Sequence, residues 1–493
     1  MPSGSANPGP DPRRWKALAV TLVVGFMILL DVTIVAVALP SMQRALHASP
    51  AQVQWVVSGY ALTFALSLVL AGRLGDAIGR RRIFLVALSA FVLFSMAAGA
   101  APTIELLVLA RLAQGVAAGC LAPQNSALIQ QMFRGAERGR AFGFFGATVG
   151  ISSAVGPITG GVILALAGGD QGWRWIFFVN VPIGVAALVL AARLLPHGRG
   201  APRGALDLTG VVLLGAGVFL MMFPLVQADS GGVQRLWWMF PVGAALLVAF
   251  ALWERRVAAR GAEPLLAPRL ITETRGYAPG AALATVYFIG FSGVWLVFAL
   301  YFQNGRGFTP LMSGLCVTPF AIGSACAAVV AGRLVERLGR LLTVLGLAAV
   351  VIGLSAAALL LGYASPGVAV WAAIPALLVG GIGSGFVISP NVTMTLKDVP
   401  VRMAGAAGGA LQTGQRLGGA VGTAALPGVY YLVLSSTGGD ISEAVTVALG
   451  AAVAGLLVAF AIAVAEWRRD GRAATPGPCP PEVAHGHTHA GQG

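Results

Sequence analysis

Long apolar runs separated by short polar connections make up nearly the whole chain. Runs of about 20 apolar residues, the length that crosses a bilayer as a helix, recur near 16 to 39, 55 to 72, 82 to 101, 104 to 128, 141 to 168, 174 to 194, 207 to 227 and 236 to 254. Six more follow near 277 to 303, 310 to 332, 341 to 363, 367 to 392, 405 to 433 and 442 to 466. The pattern predicts an all-α polytopic membrane protein with fourteen transmembrane helices. Composition points the same way: of 493 residues 57% are hydrophobic and 10% charged, and the mean hydropathy of +0.83 makes lipid the solvent for most of the surface.

Charge adds orientation. With the N-terminus placed in the cytoplasm, 26 of the 32 Lys and Arg residues fall in cytoplasmic segments, and only Arg44, Arg174, Arg235 and Arg306 fall outside. Cytoplasmic loops attract basic residues, so both termini are predicted inside. Arg111 and Arg416 lie within helices. The net charge of +14 is scattered between apolar runs rather than gathered in a patch, which argues against a nucleic-acid partner. The opening MPSGSANPGPDPRRWK is a polar Pro/Gly-rich tail leading into a run long enough to span, so no cleavable signal peptide is expected. Four cysteines show no metal or redox spacing.

A charged, glycine-punctuated stretch occurs twice. GRLGDAIGRRR at 72 to 82 is echoed by GRLVERLGR at 332 to 340, so that Gly72, Arg73, Leu74, Asp76, Gly79 and Arg80 face Gly332, Arg333, Leu334, Glu336, Gly339 and Arg340. The copies follow predicted helices 2 and 10. An offset of eight helices implies two parallel six-helix repeats with two helices inserted between them. The expected layout is a tail at 1–15, a first half at 16–195, inserted helices 7 and 8 with their linkers at 196–275, a second half at 276–467 and a disordered tail from 468 to 493. The HGHTH segment at 485 to 489 falls in that last tail and is read as disordered rather than metal-binding.

These motifs resemble the major facilitator superfamily, and within it the fourteen-helix drug:proton antiporters of the EmrB/QacA type. The resemblance covers roughly residues 16 to 466. GRLGDAIGRRR is similar to the loop 2-3 signature, LDVTIVAVALP at 30 to 40 to the helix 1 signature, RLAQGVAAG at 111 to 119 to the helix 4 motif, VGPITGG at 155 to 161 to the helix 5 antiporter motif, and WRWIFFVNVPIG at 173 to 184 to the entry of helix 6. Two departures stand out: Ser152 where the antiporter motif usually has Gly, and Ala36 where the helix 1 signature often has Asn. The resemblance implies secondary export of small hydrophobic or amphipathic compounds in exchange for protons, from the plasma membrane of a bacterium, by a monomer. The proton gradient would be the energy source and no cofactor would be needed.

The residues themselves suggest roles. Glycines in the first charged copy allow a tight turn, and Asp76 is suited to accept from arginines or a helix N-terminus. Gly72, Arg73, Asp76, Gly79, Arg80, Glu336 and Arg340 are therefore candidates for a cytoplasmic latch. Gly156, Pro157, Gly160 and Gly161 would let helix 5 pack closely and bend at the interface between halves. Ionisable residues inside a membrane cost about 2.5–3.5 kcal/mol on insertion scales, which makes each one informative. Asp31 lies nine residues before Pro40, and Arg111 six residues after Glu105. At ~1.5 Å per residue both lie about 10 Å below the outer surface and are level enough to pair. They are the candidate proton-coupling residues. Gln114 and Arg416 are candidate substrate contacts, Arg416 having no acidic partner in its own half and being placed to meet either a substrate or backbone carbonyls. Trp55, Tyr60, Phe64, Tyr287, Phe291, Trp295 and Phe302 are candidates for stacking on a planar substrate. Helices 7 and 8, without an ionisable residue before Glu254, are expected to pack or face lipid rather than line a path.

Other classes lack their machinery. The five His residues form no cluster at the membrane face that a membrane enzyme would use, and Lys16 and Lys397 lie in no G-x-x-x-x-G-K-[ST] loop that an ATP-driven pump needs. The open alternative within transport is a dedicated exporter of one self-made metabolite. Abundant Arg, Ala and Gly with two Lys is the signature of a GC-rich bacterial gene, in which both roles occur.

Overall fold

The structure is a computed structural model that describes residues 13–168, 171–196, 207–227, 231–262, 264–266, 268–308, 310–364, 366–400 and 403–474. The HGHTH segment lies outside the described residues. The long helices are α1 (Arg14–Ala45), α2 (Pro50–Ile78), α3 (Arg80–Ala100), α4 (Ile104–Met132), α5 (Gly135–Ala167) and α6 (Asn180–Leu194), the last entered through short turns at Gly172–Arg174 and Trp175–Phe178. They continue with α7 (Leu208–Val226), α8 (Met239–Ala259) and α9, which begins as Tyr277–Phe291 and continues through Val294–Ala299 into a π-helical end at Leu300–Gly305. The set closes with α10 (Pro310–Leu338), α11 (Arg340–Tyr363), α12 (Pro366–Thr395), α13 (Ala404–Ser436) and α14 (Ile441–Ala474). No strand occurs among the described residues, and twelve helices there are long and apolar enough to cross a membrane. In a bilayer core only internally hydrogen-bonded helices or closed barrels satisfy the backbone, so the chain is a multi-pass helical membrane protein.

The expected count of fourteen spans is thus met as twelve. The two long helices outside that set are α5 and α8, and α8 ends in Glu254, Arg255 and Arg256, which raise its polarity. The expected tail at 468–493 also begins later. α14 runs on to Ala474 because Asp470 reaches Arg340 at 3.0 Å and Arg275 at 3.5 Å, anchoring the last turns.

Two apolar cores organise the molecule. Val24, Met27, Phe84, Phe91, Leu121 and Ala187 form the core among α1 to α4 and α6. Tyr287, Phe298, Leu347, Val350, Leu377 and Leu449 form its counterpart among α9 to α14. A third cluster joins them at the end bearing the charged connections, where Ile129, Phe133 and Phe142 pack with Val392, Leu396 and Leu411. α7 and α8 lean on this assembly from the side: Val218 and Met222 pack with Leu62 and Ala65 of α2 and with Leu417 and Ala420 of α13.

Close approach between the halves depends on small residues, since lipid tails leave little hydrophobic drive for helix association. A Cβ at Gly72 would collide with the Gly405 carbonyl, and one at Gly139 with the Gly332 carbonyl. α5 and α10 stay in close contact through Gly143, Gly146 and Gly150, opposite Ala325, Ala328 and Gly332. Towards the other end, Gly161, Gly314 and Gly428 have no neighbour at the same test position. The described seam between halves is therefore tightest at the end with the charged connections. Overpacking of this kind costs about 1–3 kcal/mol. Gly72→Leu is expected to lower the melting temperature of the purified protein, whereas Gly314→Leu, entering open space, leaves it level or higher. Equal melting of the two variants would refute the seam.

Candidate functional site

Asp31 and Arg111 meet inside the first half. Both side chains have no solvent exposure, and Arg111 Nη1 donates to Asp31 Oδ2 at 2.5 Å. Their helices, α1 and α4, bring them level, as the residue counts predicted. Arg111 Nη1 also donates to Gln114 Oε1 at 2.8 Å, and Nε to the Val56 carbonyl of α2 at 3.0 Å. The second carboxylate oxygen of Asp31 accepts from Gln114 Nε2 at 3.2 Å and from Asn180 Nδ2 of α6 at 2.9 Å. Asn180 also donates to Ser95 Oγ of α3, which donates to the Phe177 carbonyl. The Arg111 guanidinium lies 4.1 Å from the Tyr60 ring centroid and 5.6 Å from that of Phe177. Five helices of one half thus converge on a single ion pair, and every donor to Asp31 is a side chain that a proton on that carboxyl would displace or reorient.

The second site is the charged connection between α2 and α3. Gly79 ends α2 with φ +114°, a conformation that favours glycine. It turns the chain so that Arg80 can reach back to Asp76, with Nη2 at 2.9 Å and Nε at 3.3 Å from Oδ1. Arg80 Nη1 donates to the Ala127 carbonyl of α4. Asp76 in turn accepts from the backbone N–H of Gly405 at 3.2 Å and Ala406 at 3.1 Å. Those groups are free donors at the start of α13, where a helix presents partial positive charge. A carboxylate of the first half therefore caps a helix of the second.

The repeat at 332–340 is built differently. Gly339 again takes a positive φ, +53°, but Arg340 turns to α14, reaching Asp470 at 3.0 Å and Glu466 at 3.9 Å, and donates to the Gly276 carbonyl. Glu336 is exposed and lies beside Gly135 at the start of α5, the position that pseudo-symmetry gives it.

Residues 21–423 match the Major Facilitator Superfamily. The chain belongs to this superfamily. Among similar proteins, a probable actinorhodin transporter of Streptomyces coelicolor is 38% identical over 442 residues, covering 88% of this chain and 76% of the relative. A puromycin resistance protein of Streptomyces alboniger is 37% identical over 466 residues, covering 93% and 90%. A solved structure of the proton:xylose symporter XylE, bound to 6-bromo-6-deoxy-D-glucose, superposes with a TM-score of 0.64 at 14% identity over 90% of this chain and 94% of the other, a likeness of fold. Superfamily members are transporters rather than enzymes.

In this superfamily member the residues singled out in the sequence fall into three groups. Asp31, Arg111 and Gln114 form one network, so Gln114 is engaged with the ion pair rather than facing a cavity. Gly72, Asp76, Gly79 and Arg80 form the contact with α13, with Arg73 half-buried beside them. Glu336 and Arg340 stand apart from that contact, on α10 and α11. The helix 5 residues turn out differently from the expectation that they line the interface between halves. A Cβ at Gly156 would strike the Thr33 hydroxyl, so this glycine, on the helix that also carries Pro157, faces α1 of its own half. Gly160 is buried, and Gly161 is exposed with open space beside it. The contact between halves falls instead to Gly139, Gly143, Gly146 and Gly150. Helices 7 and 8 are also less bare than expected: Asp207 caps α7 and accepts from Trp253 Nε1 at 2.8 Å.

Sequence reasoning missed Asn180, Ser95, Gln124, Glu466 and Asp470. Gln124 sits under Gly75 and donates to the Ala71 carbonyl at 2.8 Å. Asn180 had a usable signal, an amide in the otherwise apolar WIFFVNVPIG stretch. Removing one partner of a buried charged pair costs about 3–5 kcal/mol. Asp76→Asn is expected to reduce transport about tenfold or more at equal membrane abundance, with Glu336→Gln near wild type. Wild-type transport in Asp76→Asn cells would leave the cap on α13 without a role.

Proposed function

We propose that this transporter exports small hydrophobic or amphipathic compounds, antibiotics among them, across the bacterial plasma membrane in exchange for protons, with Asp31 as the coupling carboxylate and Arg111 as its counter-ion. The observation that carries the reading is the sealed Asp31–Arg111 pair, held by α1, α2, α3, α4 and α6 together. A proton on Asp31 cancels its charge and turns one acceptor oxygen into a donor. The Gln114 and Asn180 amides then lose an acceptor, and Arg111, whose Nη2 has no partner, loses its counter-ion. Chemistry at one carboxyl is thereby converted into altered contacts among several helices. Rocking of the halves about the contact of Asp76 with α13 is the movement this would drive, with Glu336 and Arg340 contributing on the other half. The proton gradient supplies the energy, no cofactor takes part, and a monomer suffices.

Relatives support the direction of transport. Besides the two already named, a protein of Streptomyces glaucescens is described as a tetracenomycin C resistance and export protein. A dedicated exporter of one self-made metabolite is the second reading, favoured by such names. Decisive for the coupling is Asp31→Asn, which keeps the side chain's shape but cannot titrate. In inverted vesicles it is expected to abolish accumulation driven by a pH gradient while substrate binding and downhill exchange persist. Uphill accumulation by Asp31→Asn vesicles would move the coupling elsewhere.

The fuller topology belongs to the same proposal: fourteen spans, with α5 and α8 crossing beside the twelve, α7 and α8 inserted between the halves, and both termini cytoplasmic. α8 has 21 residues, about 31 Å at ~1.5 Å each, enough for the ~30 Å hydrocarbon core. The 26-to-4 split of basic residues supports the orientation. Reporter fusions after residues 170 and 438 should read outside, and those after 200 and 470 inside. A stretch from 200 to 275 that stays wholly on one side would sink this topology.

A further inference from the structure

Arg416 is the second arginine within the membrane-spanning helices, and its setting is the opposite of Arg111's. It projects from α13 towards α2, across the boundary between halves, with its guanidinium 4.3 Å from the Phe64 ring centroid. No Asp or Glu pairs with it among the described residues. Asp31, the buried acid of the facing half, already accepts from Arg111, Gln114 and Asn180 and has no solvent exposure. A cation in the plane of the membrane is costly without compensation. Here the surrounding protein offers it an aromatic face and no anion.

Two further donors are left open at the same boundary. Gln412, one turn before Arg416 on α13, has a buried Nε2 with no hydrogen-bond partner. Tyr60, one turn before Phe64 on α2, is 1% exposed, and its hydroxyl has no partner. The Tyr60 hydroxyl also lies within electrostatic reach of Arg416. Buried polar groups are ordinarily satisfied, so the Gln412 amide N–H and the Tyr60 O–H call for an acceptor, and the half-buried Arg416 guanidinium at the same boundary favours an anionic one. Phe64 and Tyr60 are themselves buried, 2% and 1% exposed, with Arg416 over one ring and Arg111 over the other, so they back the cation and leave the acidic group as what the site selects.

We propose that Arg416, Gln412 and Tyr60, backed by Phe64, form the anion subsite of the exported compound, and that the favoured substrates are organic acids, carrying a carboxylate or an ionised phenol. This rests on the exporter reading for what happens after binding, but the subsite itself is a statement about binding. Arg416 anchors the charge, Gln412 and Tyr60 hydrogen-bond the same acidic group, and a neutral compound of equal size keeps only an uncharged acceptor for them, while a cation is repelled by Arg416.

The test uses the full-length protein in detergent, with three fluorescence-detected probes: anthraquinone-2-carboxylate, its neutral amide anthraquinone-2-carboxamide, and the cation ethidium. Wild type should bind the carboxylate about tenfold or more tightly than the amide. Arg416→Gln should erase that preference by weakening the carboxylate far more than the amide, with an unchanged melting temperature showing that the variant is folded. Arg416→Lys should restore part of the preference, and Tyr60→Phe should reduce it about threefold. A preference for ethidium, equal binding of carboxylate and amide by wild type, absence of carboxylate binding, or a preference that survives Arg416→Gln would each overturn the proposal. Uptake of the carboxylate into inverted vesicles under a pH gradient is measured separately. Selective binding without driven uptake would uphold the subsite and count against the exporter reading instead.

Discussion

A charge placed in a bilayer must find its compensation inside the protein, and the first half of this transporter is arranged around that requirement. Asp31 and Arg111 neutralise each other at 2.5 Å with no solvent contact, and Gln114, Asn180 and the Val56 carbonyl add further hydrogen bonds, leaving Arg111 Nη2 without one. Breaking such a pair by removing one partner costs about 3–5 kcal/mol, a large share of the stability of an ordinary domain. The consequence is mechanical as much as electrostatic. Because the donors to Asp31 come from α4 and α6, any change in the pair bears on how those helices pack against α1.

Association of the halves obeys a different rule. Lipid is as apolar as the helix surfaces, so burial contributes little to holding α2 against α13 or α5 against α10. Close backbone approach does the work instead, at Gly72 on Gly405 and at Gly139 and Gly143 on Gly332. Asp76 adds one directional contact, accepting from two N–H groups that the start of α13 would otherwise leave free. Arg138 Nη2 adds another to the Lys397 carbonyl at 3.3 Å, so among the described residues the seam combines close backbone contact with a few hydrogen bonds. Arg340, tied to Asp470 and Glu466 within the second half, cannot contribute a matching cap, so the two copies of the charged motif are unequal despite the shared glycine turn.

What the sequence made legible follows from signal strength. Charged residues in apolar runs are rare, and helical rise converts their position into depth, so Asp31 and Arg111 could be matched from residue counts alone. The duplicated motif revealed the repeat and located the cap. Neutral polar residues carry no such signal: Asn180, Ser95 and Gln124 sit in runs whose hydropathy barely registers them, and their importance lies in which neighbour they reach. Direction was equally hidden in α5. Small residues at intervals of three and four define one face, but only packing shows that Gly150 faces α10 while Gly156 faces Thr33 of α1. Glu466 closed the last apolar run and Asp470 fell in the expected tail, and both reach Arg340 from a helix that runs on to Ala474.

The two intramembrane arginines share one aromatic bridge, Arg111 over Tyr60 and Arg416 over Phe64, yet only the first has a counter-ion. An acidic substrate at Arg416 would not compete with the proton for Asp31, because like signs are not involved: neutralising Asp31 leaves Arg111 uncompensated and makes the same region more attractive to an anion. Under the proposed exchange, acid and proton would therefore be linked through conformation rather than by competition for one site. The energetics favour the arrangement. Each elementary charge moved across the membrane is worth about 2.3 kcal/mol per 100 mV, and with the cell interior negative both an anion leaving and a proton entering run downhill. A cation exported for one proton would gain nothing from the potential, whereas an anion exported for one proton draws on it twice.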